Sequence, residues 1–232
     1  MVSSTSESIP RVITLDGLSG SGKSTLARLL ANQLGWAYLD SGAWYRALTW
    51  AALEREIDVK SAEMVLDLLF NINIDSKKDG AVLVDGAVLT KELRLPEIDI
   101  AVSSVADHLS VRGELNEQMR NILKQNDTNG VVADGRDVGS IVFPDSPLKV
   151  YVEVPLAERA KRRFAQHQSI GADVTFSDVM EALQSRDARD SQRGDAAPKA
   201  QPNSRLLDNQ NNSVEQAVGR LLSWANETFA KK

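Results

Sequence analysis

Val12-Ile-Thr-Leu-Asp-Gly-Leu-Ser-Gly-Ser-Gly-Lys-Ser-Thr25 decides how the chain folds. Its opening run, Val12 to Leu15, is apolar and bounded by Pro10 and Gly17, as a short buried strand would be. From Lys23 onward Leu26, Leu29, Leu30 and Leu34 recur at helical spacing, and Gly35 ends the run. Between strand and helix, Gly17 to Ser24 fits G-x-x-x-x-G-K-[ST], with Gly17, Gly22, Lys23 and Ser24 at the fixed positions. Glycines let the backbone curl, so that Leu18, Ser19, Gly20, Ser21 and Gly22 turn successive N–H groups toward phosphates. The following helix adds its positive N-terminal end. Lys23 is placed for the β- and γ-phosphates of a nucleoside triphosphate, and the hydroxyl of Ser24, or of Thr25 beside it, is available to Mg²⁺. A glycine-rich turn that merely contains a lysine requires neither flanking element, and both are present. The loop indicates triphosphate binding; switches, motors and kinases share it.

Strand and helix signals then alternate. Trp36 to Leu39 reads as a second strand, Trp44 to Glu56 and 61–70 as helices, and Ile98 to Lys124 as a helical stretch broken near Ser110. Gly130 to Ala133, Leu148 to Val152 and Leu206-Leu207 are strand-like, with helices over Leu156 to Gln168, Phe176 to Asp190 and Val214 to Phe229. This order predicts an α/β fold of three layers, helices on both faces of a parallel sheet. Asn71 to Ile74, Ala81 to Val84 and Ala87 to Leu89 are short β-prone runs separated by Asp79-Gly80 and Asp85-Gly86, the signal of a small antiparallel insert. Asp195 to Asn212 reads as a surface connection, and 1–9 as a flexible start. A single domain over 10–232 is expected. Its core is about 10–40, 128–160 and 203–232, with a monophosphate-binding part near 41–127 and a helical lid near 160–193.

Bulk properties narrow the function. The 232 residues contain no cysteine, which excludes disulfides and thiolate chemistry. A net charge of -5 argues against a nucleic-acid partner. Met1 to Ser8 lack the basic start and apolar run of a signal peptide, and no stretch approaches the roughly 20 apolar residues of a membrane helix. The expectation is a cytoplasmic protein acting on small molecules.

A switch GTPase would carry an Asn-Lys-x-Asp motif, which is absent; a small kinase needs a second anion site, and three segments offer one. Asp40, Ser41, Tyr45 and Arg46 follow the second strand. Asp134, Arg136 and Asp137 follow the strand Val131 to Ala133, at the carboxyl end where α/β sheets bind ligands. Arg186, Arg189, Asp190 and Arg193 share one helix face. Taken singly, these segments also read as a helix cap, a structural ion pair and a solvated charged face. His108 and His167 are isolated and read as incidental.

Taken in order, Gly17 to Thr25, Leu39 to Arg46, Asp134 to Gly139 with Val142 to Asp145, and Arg186 to Asp190 resemble the bacterial cytidylate kinase family over about Pro10 to Phe229. The resemblance implies transfer of the γ-phosphate of ATP to CMP or dCMP with Mg²⁺, by a monomer. It implies that Ser103, Arg112 and Asp137 read the cytosine edge and that Arg46, Arg136 and Arg193 hold the acceptor phosphate. Arg186 and Asp190 then lie at the sugar, and Asp40, Ser41, Tyr45 and Asp134 line the pocket. Lys23, Arg136, Arg159, Arg162 and Arg193 are the expected catalytic cations. Arg159, Arg162 and Arg163 are mobile and lead into a lid over Gln168 to Thr175 around Gly171. Two rivals stand beside this reading: a kinase for another acceptor, and a nucleotide-binding regulator without transfer.

Overall fold

A computed structural model describes residues 11–122, 129–169 and 173–230. The expected flexible start at 1–9, Lys124 and Gly171 lie outside them. Five strands form the main sheet: β1 (Val12–Asp16), β2 (Ala37–Asp40), β6 (Val131–Gly135), β7 (Leu148–Glu153) and β8 (Arg205–Asp208), in the order β2-β6-β1-β7-β8. All four pairings are parallel.

Side-chain alternation explains the layers. In β1, Ile13 and Leu15 face α1 (Lys23–Leu34) and α8 (Val214–Phe229), whereas Val12 faces the opposite core. Val132 of β6 joins the first core, and Val131 and Ala133 join the second. That second core also takes in α2 (Ser41–Glu54), α3 (Ala62–Asn71), α4 (Pro96–Asp107) and α5 (Leu109–Arg120). Strands buried on both faces need nearly unbroken apolar runs, and every β1 and β6 residue is buried.

The insert is a three-stranded antiparallel sheet of β3 (Ile74–Ser76), β4 (Val82–Val84) and β5 (Ala87–Leu89). Asp85 and Gly86, at φ 50° and 81°, form the two-residue turn between β4 and β5, as their identity predicts. The first strand starts at Ile74, because Asn71 still belongs to α3. The helical break falls at His108 instead of Ser110; its extended backbone separates α4 from α5, and its Nε2 lies 2.9 Å from the Val59 carbonyl oxygen.

Two further helices, α6 (Leu156–Ser169) and α7 (Phe176–Ser191), build a small core of their own from Ala160, Val179 and Leu183. Phe164 and Phe176 meet edge to face across it at 5.9 Å. No helix among the described residues is long and apolar enough to cross a membrane.

Two glycines test this packing. A Cβ at Gly130 would lie 2.6 Å from both the Arg11 carbonyl oxygen and the Trp36 ring, whereas one at Gly219, inside α8, would meet nothing within 4 Å. Gly130→Ala is expected to destabilise by about 1–3 kcal/mol through overpacking, and Gly219→Ala to stabilise by about 1 kcal/mol through helix propensity. Urea unfolding measures both.

Candidate active site

The loop Gly17–Gly22 is held from outside by its carbonyl oxygens. Arg136 donates to the Gly17 oxygen at 3.2 Å, Lys23 Nζ to Leu18 at 3.4 Å, Arg159 to Ser19 at 3.1 Å and Asn209 Nδ2 to Ser21 at 3.0 Å. With Gly20 and Gly22 at φ 80° and 85°, open only to glycine at low cost, the loop curls and four of its carbonyl oxygens are spent on protein donors. Lys23 is buried there. Burial, then the Arg136 charge, lower its pKa to about 8, and a bound anion would reverse that pressure.

Beside the loop, the Asp134 carboxylate at the end of β6 accepts from Ser24 Oγ and from Tyr38 Oη, each at 2.7 Å. Thr25 is exposed and its side chain makes no hydrogen bond among the described residues, so of the two hydroxyls it is Ser24 that faces the carboxylate. Burial and the neighbouring Asp40 charge raise Asp134 to about 7. Asp40 also caps α2 through the Ala43 N–H at 3.0 Å, and Ser41 Oγ donates to the Asp134 carbonyl at 2.9 Å. Asp16, raised to about 6 chiefly by burial, accepts from the Val138 and Gly139 N–H groups at 2.8 Å each and so holds the π-turn Val138–Val142 after β6.

The guanidinium groups converge from the other side. Arg136 donates to Asp190 at 2.8 Å while it holds the loop. Arg193 pairs with the same Asp190 at 2.7 Å and with Asp107 at 2.9 Å. Arg46 donates to Asp99 at 2.5 Å and to the Leu93 carbonyl at 3.1 Å. Arg186 has no hydrogen bond or ion pair among the described residues, yet it senses the charges of Arg136 and Arg46; burial, then Arg136, lower its pKa to about 10. Lys23 in turn senses Arg136 and Arg186. The three segments from distant parts of the chain therefore form one positive cluster beside the glycine loop.

Next to it, Arg112 and Asp137 form a buried, hydrogen-bonded pair. Arg112 also donates to the Ala106 carbonyl at 3.1 Å, and its guanidinium carbon stands 5.6 Å from the Tyr45 ring centroid. Burial raises the Asp137 pKa, with Arg112 opposing. Ser103, on α4, makes no hydrogen bond among the described residues.

Arg159 and Arg162 differ from the mobile arginines that the resemblance implies. Arg159 is 3% exposed and engages all three guanidinium nitrogens: Nε on the Val154 carbonyl at 3.0 Å, and the two terminal nitrogens on the Ser19 carbonyl at 3.1 Å and on Asp187 at 2.6 and 3.3 Å. Arg162 donates to the Asn209 and Gln210 carbonyls at 2.7 and 3.0 Å. Arg163 touches only Gln166, at 3.5 Å. Both larger anchors reflect packing of α6 against the loop and against the turn after β8. The sequence reading also missed Asp16, Tyr38, Asn116, Asp187 and Asn209. Asp187 sits inside the Arg186–Asp190 segment without being singled out there, and the other four belong to none of the segments that carry the resemblance; only their burial or their distant partners mark them.

Asp134 gives a pH prediction with a definite sign. A carboxyl whose folded pKa lies above its unfolded value stabilises the fold at low pH, and that contribution is lost as pH rises from about 4 to about 7. Asp134→Asn without nucleotide is expected to match or fall below the wild type at pH 5 and to exceed it at pH 8, by on the order of a few kcal/mol at most. Thermal melts at the two pH values check this.

Residues 13–227 match the sequence profile of a family described as cytidylate kinase. The cytidylate kinase of Azotobacter vinelandii is 40% identical over 92% of this chain and 94% of its own length. That of Pseudomonas syringae is 39% identical over 91% and 93%. A crystal structure from Thermus thermophilus superposes with a TM-score of 0.52 at 20% identity, covering 96% of this chain and 99% of that one, which supports the fold alone. With a family match over nearly its full length and relatives of this identity, the chain belongs to the cytidylate kinase family.

Proposed function

We propose that this protein transfers the γ-phosphate of ATP to CMP or dCMP, giving ADP and CDP or dCDP. One observation carries the reading: the glycine loop with Lys23 lies beside a guanidinium cluster in which Arg186 has no hydrogen-bonded or ion-paired partner among the described residues. Two anions can be bound side by side there, as phosphoryl transfer requires.

Residues Gly17 to Thr25 bind the ATP phosphates, with Lys23 over the transferring group. Arg46, Arg136 and Arg193 orient the acceptor phosphate, exchanging Asp99, Asp190 and Asp107 for phosphate oxygens, and Arg186 with Asp190 lies at the sugar. Arg112 and Asp137 read the cytosine edge, and Ser103 adds a hydroxyl; a uracil would put O4 against the Asp137 carboxylate. The acceptor phosphate is already the nucleophile, so the protein needs positioning and charge stabilisation, not a strong base. The hard oxygen donors Ser24 and Asp134, with the Asp40 charge adjoining, fit Mg²⁺, because a divalent cation supplies the charge that makes Asp134 costly to ionise. Held there by Ser24 and Asp134, Mg²⁺ would supply the positive charge that offsets the negative charge of the transferring phosphate. The α6–α7 unit, packed around its own core, serves as the lid that excludes water. All of these residues come from one chain, so a monomer suffices, and a cysteine-free chain suits the cytoplasm.

ADP formation from ATP and Mg²⁺ tests the reading with CMP, dCMP, UMP, AMP, GMP or no acceptor. Turnover is expected with CMP and dCMP. Equal turnover with UMP would overturn the cytosine assignment, and acceptor-independent behaviour would favour the regulator. Lys23→Ala is expected to lower kcat by about 10²–10³-fold. Arg186→Ala is expected to raise KM for CMP about tenfold or more while leaving KM for ATP near its original value.

A further inference from the structure

Asn116 lies one helical turn beyond Arg112 on α5 and is only 4% exposed. Its helix neighbours Val111, Leu115 and Met119 face the apolar core, whereas Arg112 and Asn116 form an adjacent polar stripe and share Tyr45. Tyr45 Oη donates to Asn116 Oδ1 at 3.3 Å. That contact commits the amide oxygen, and Nδ2 has no partner among the described residues. The side-chain atoms sealed away without a partner there are Thr14 Oγ1, Ser21 Oγ, Trp44 Nε1 and Ser76 Oγ. Asn116 Nδ2 is not one of them, so it is not sealed from solvent, and Tyr45 places it in the same group of side chains as Arg112. A nearly buried residue with an accessible spare donor, in a cluster otherwise satisfied, points to a ligand atom that accepts.

We infer that Asn116 positions the acceptor base by donating its free amide N–H to the ring carbonyl oxygen O2 of cytosine. The assignment rests on the cytosine reading above and adds a fourth side chain to Ser103, Arg112 and Asp137. Asp137 offers an acceptor, Arg112 a donor and Asn116 a donor; the edge of cytosine offers the N4 amino group as donor, then N3 and O2 as acceptors. Each protein group meets its complement. Uracil would present an acceptor, a donor and an acceptor, and would match only Asn116. The order also follows the contacts: Asp137 bonds to Arg112, and Asn116 stands one turn further along the same helix. Tyr45 keeps the amide from turning its oxygen toward the base.

The test pairs a change in the protein with a change in the substrate. Steady-state kinetics compare the wild type, Asn116→Leu and Asn116→Asp with CMP, dCMP and 2-thio-CMP, in which sulfur, a weak acceptor, replaces O2. In the wild type the sulfur substitution is expected to raise KM about tenfold, the scale of one lost hydrogen bond. In Asn116→Leu the KM for CMP is expected to rise by a similar factor, the oxygen-to-sulfur ratio to fall to about one, and dCMP to follow CMP. Asn116→Asp keeps the shape and an acceptor for Tyr45, so it carries the same comparison if the leucine variant unfolds; loss of the ratio there supports the assignment equally. An unchanged oxygen-to-sulfur ratio in the variants would overturn it and leave Asn116 as a support for Tyr45 alone. An effect on CMP but not dCMP would also overturn it, because the amide would then serve the ribose 2′-hydroxyl. A wild type that fails to phosphorylate CMP at all would remove the cytosine reading itself, and this assignment with it.

Discussion

Arg136 joins the two halves of the site through one planar group: a terminal nitrogen holds the Gly17 carbonyl and Nε holds Asp190. The glycine loop keeps its curl only while its carbonyl oxygens have donors, since a buried carbonyl without one is costly. Four side chains supply those donors, and they come from β6, α1, α6 and the turn after β8. The cradle is therefore a property of the assembled sheet and its surroundings as well as of the glycines. Three of the four are cations, so the charges that shape the loop are also available to an anionic ligand.

A dense positive cluster has to survive in the absence of substrate. Asp99, Asp107, Asp187 and Asp190 do this by pairing with Arg46, Arg193, Arg159 and Arg136. Pairs that are partly buried contribute little net stability once desolvation is counted, but they fix where each guanidinium points. Asp187 and Asp190 lie three residues apart on α7, and their arginines reach the Ser19 and Gly17 carbonyls. Helix α7 is thus tethered twice to the glycine loop while it carries Arg186 and Asp190 of the guanidinium cluster. Any displacement of α7 must be felt at both the loop and the cluster.

The opposite imbalance holds around Asp134. Two carboxylates, Asp134 and Asp40, share a small region with Ser24 and Tyr38, and burial makes the second negative charge expensive. Lys23 opposes that cost but is itself depressed by burial and by Arg136. Each side lacks the charge that nucleotide and metal would bring. The folded chain stores this unbalanced electrostatics in a fixed geometry, which is the preorganisation that phosphoryl transfer relies on.

Much of this was legible in the chain because the signals are local. The strand, glycine loop and helix of residues 12–34, the Asp85-Gly86 hairpin and the arginine-bearing face of α7 each follow from short-range periodicity and turn chemistry. Sequence alone thus determined the α/β class, the triphosphate loop and the supply of guanidinium groups. Tertiary structure decided which side chains meet. Tyr38 reaches Asp134 across 96 positions and Asn209 reaches Ser21 across 188, and Asn116 gains its role only from Tyr45, 71 residues away. Arg159 looks like its neighbours Arg162 and Arg163 in the sequence, yet packing engages every one of its guanidinium nitrogens. The reason is physical: spacing along a chain specifies local conformation, whereas burial and hydrogen-bond partnership depend on contacts that exist only after the sheet has assembled.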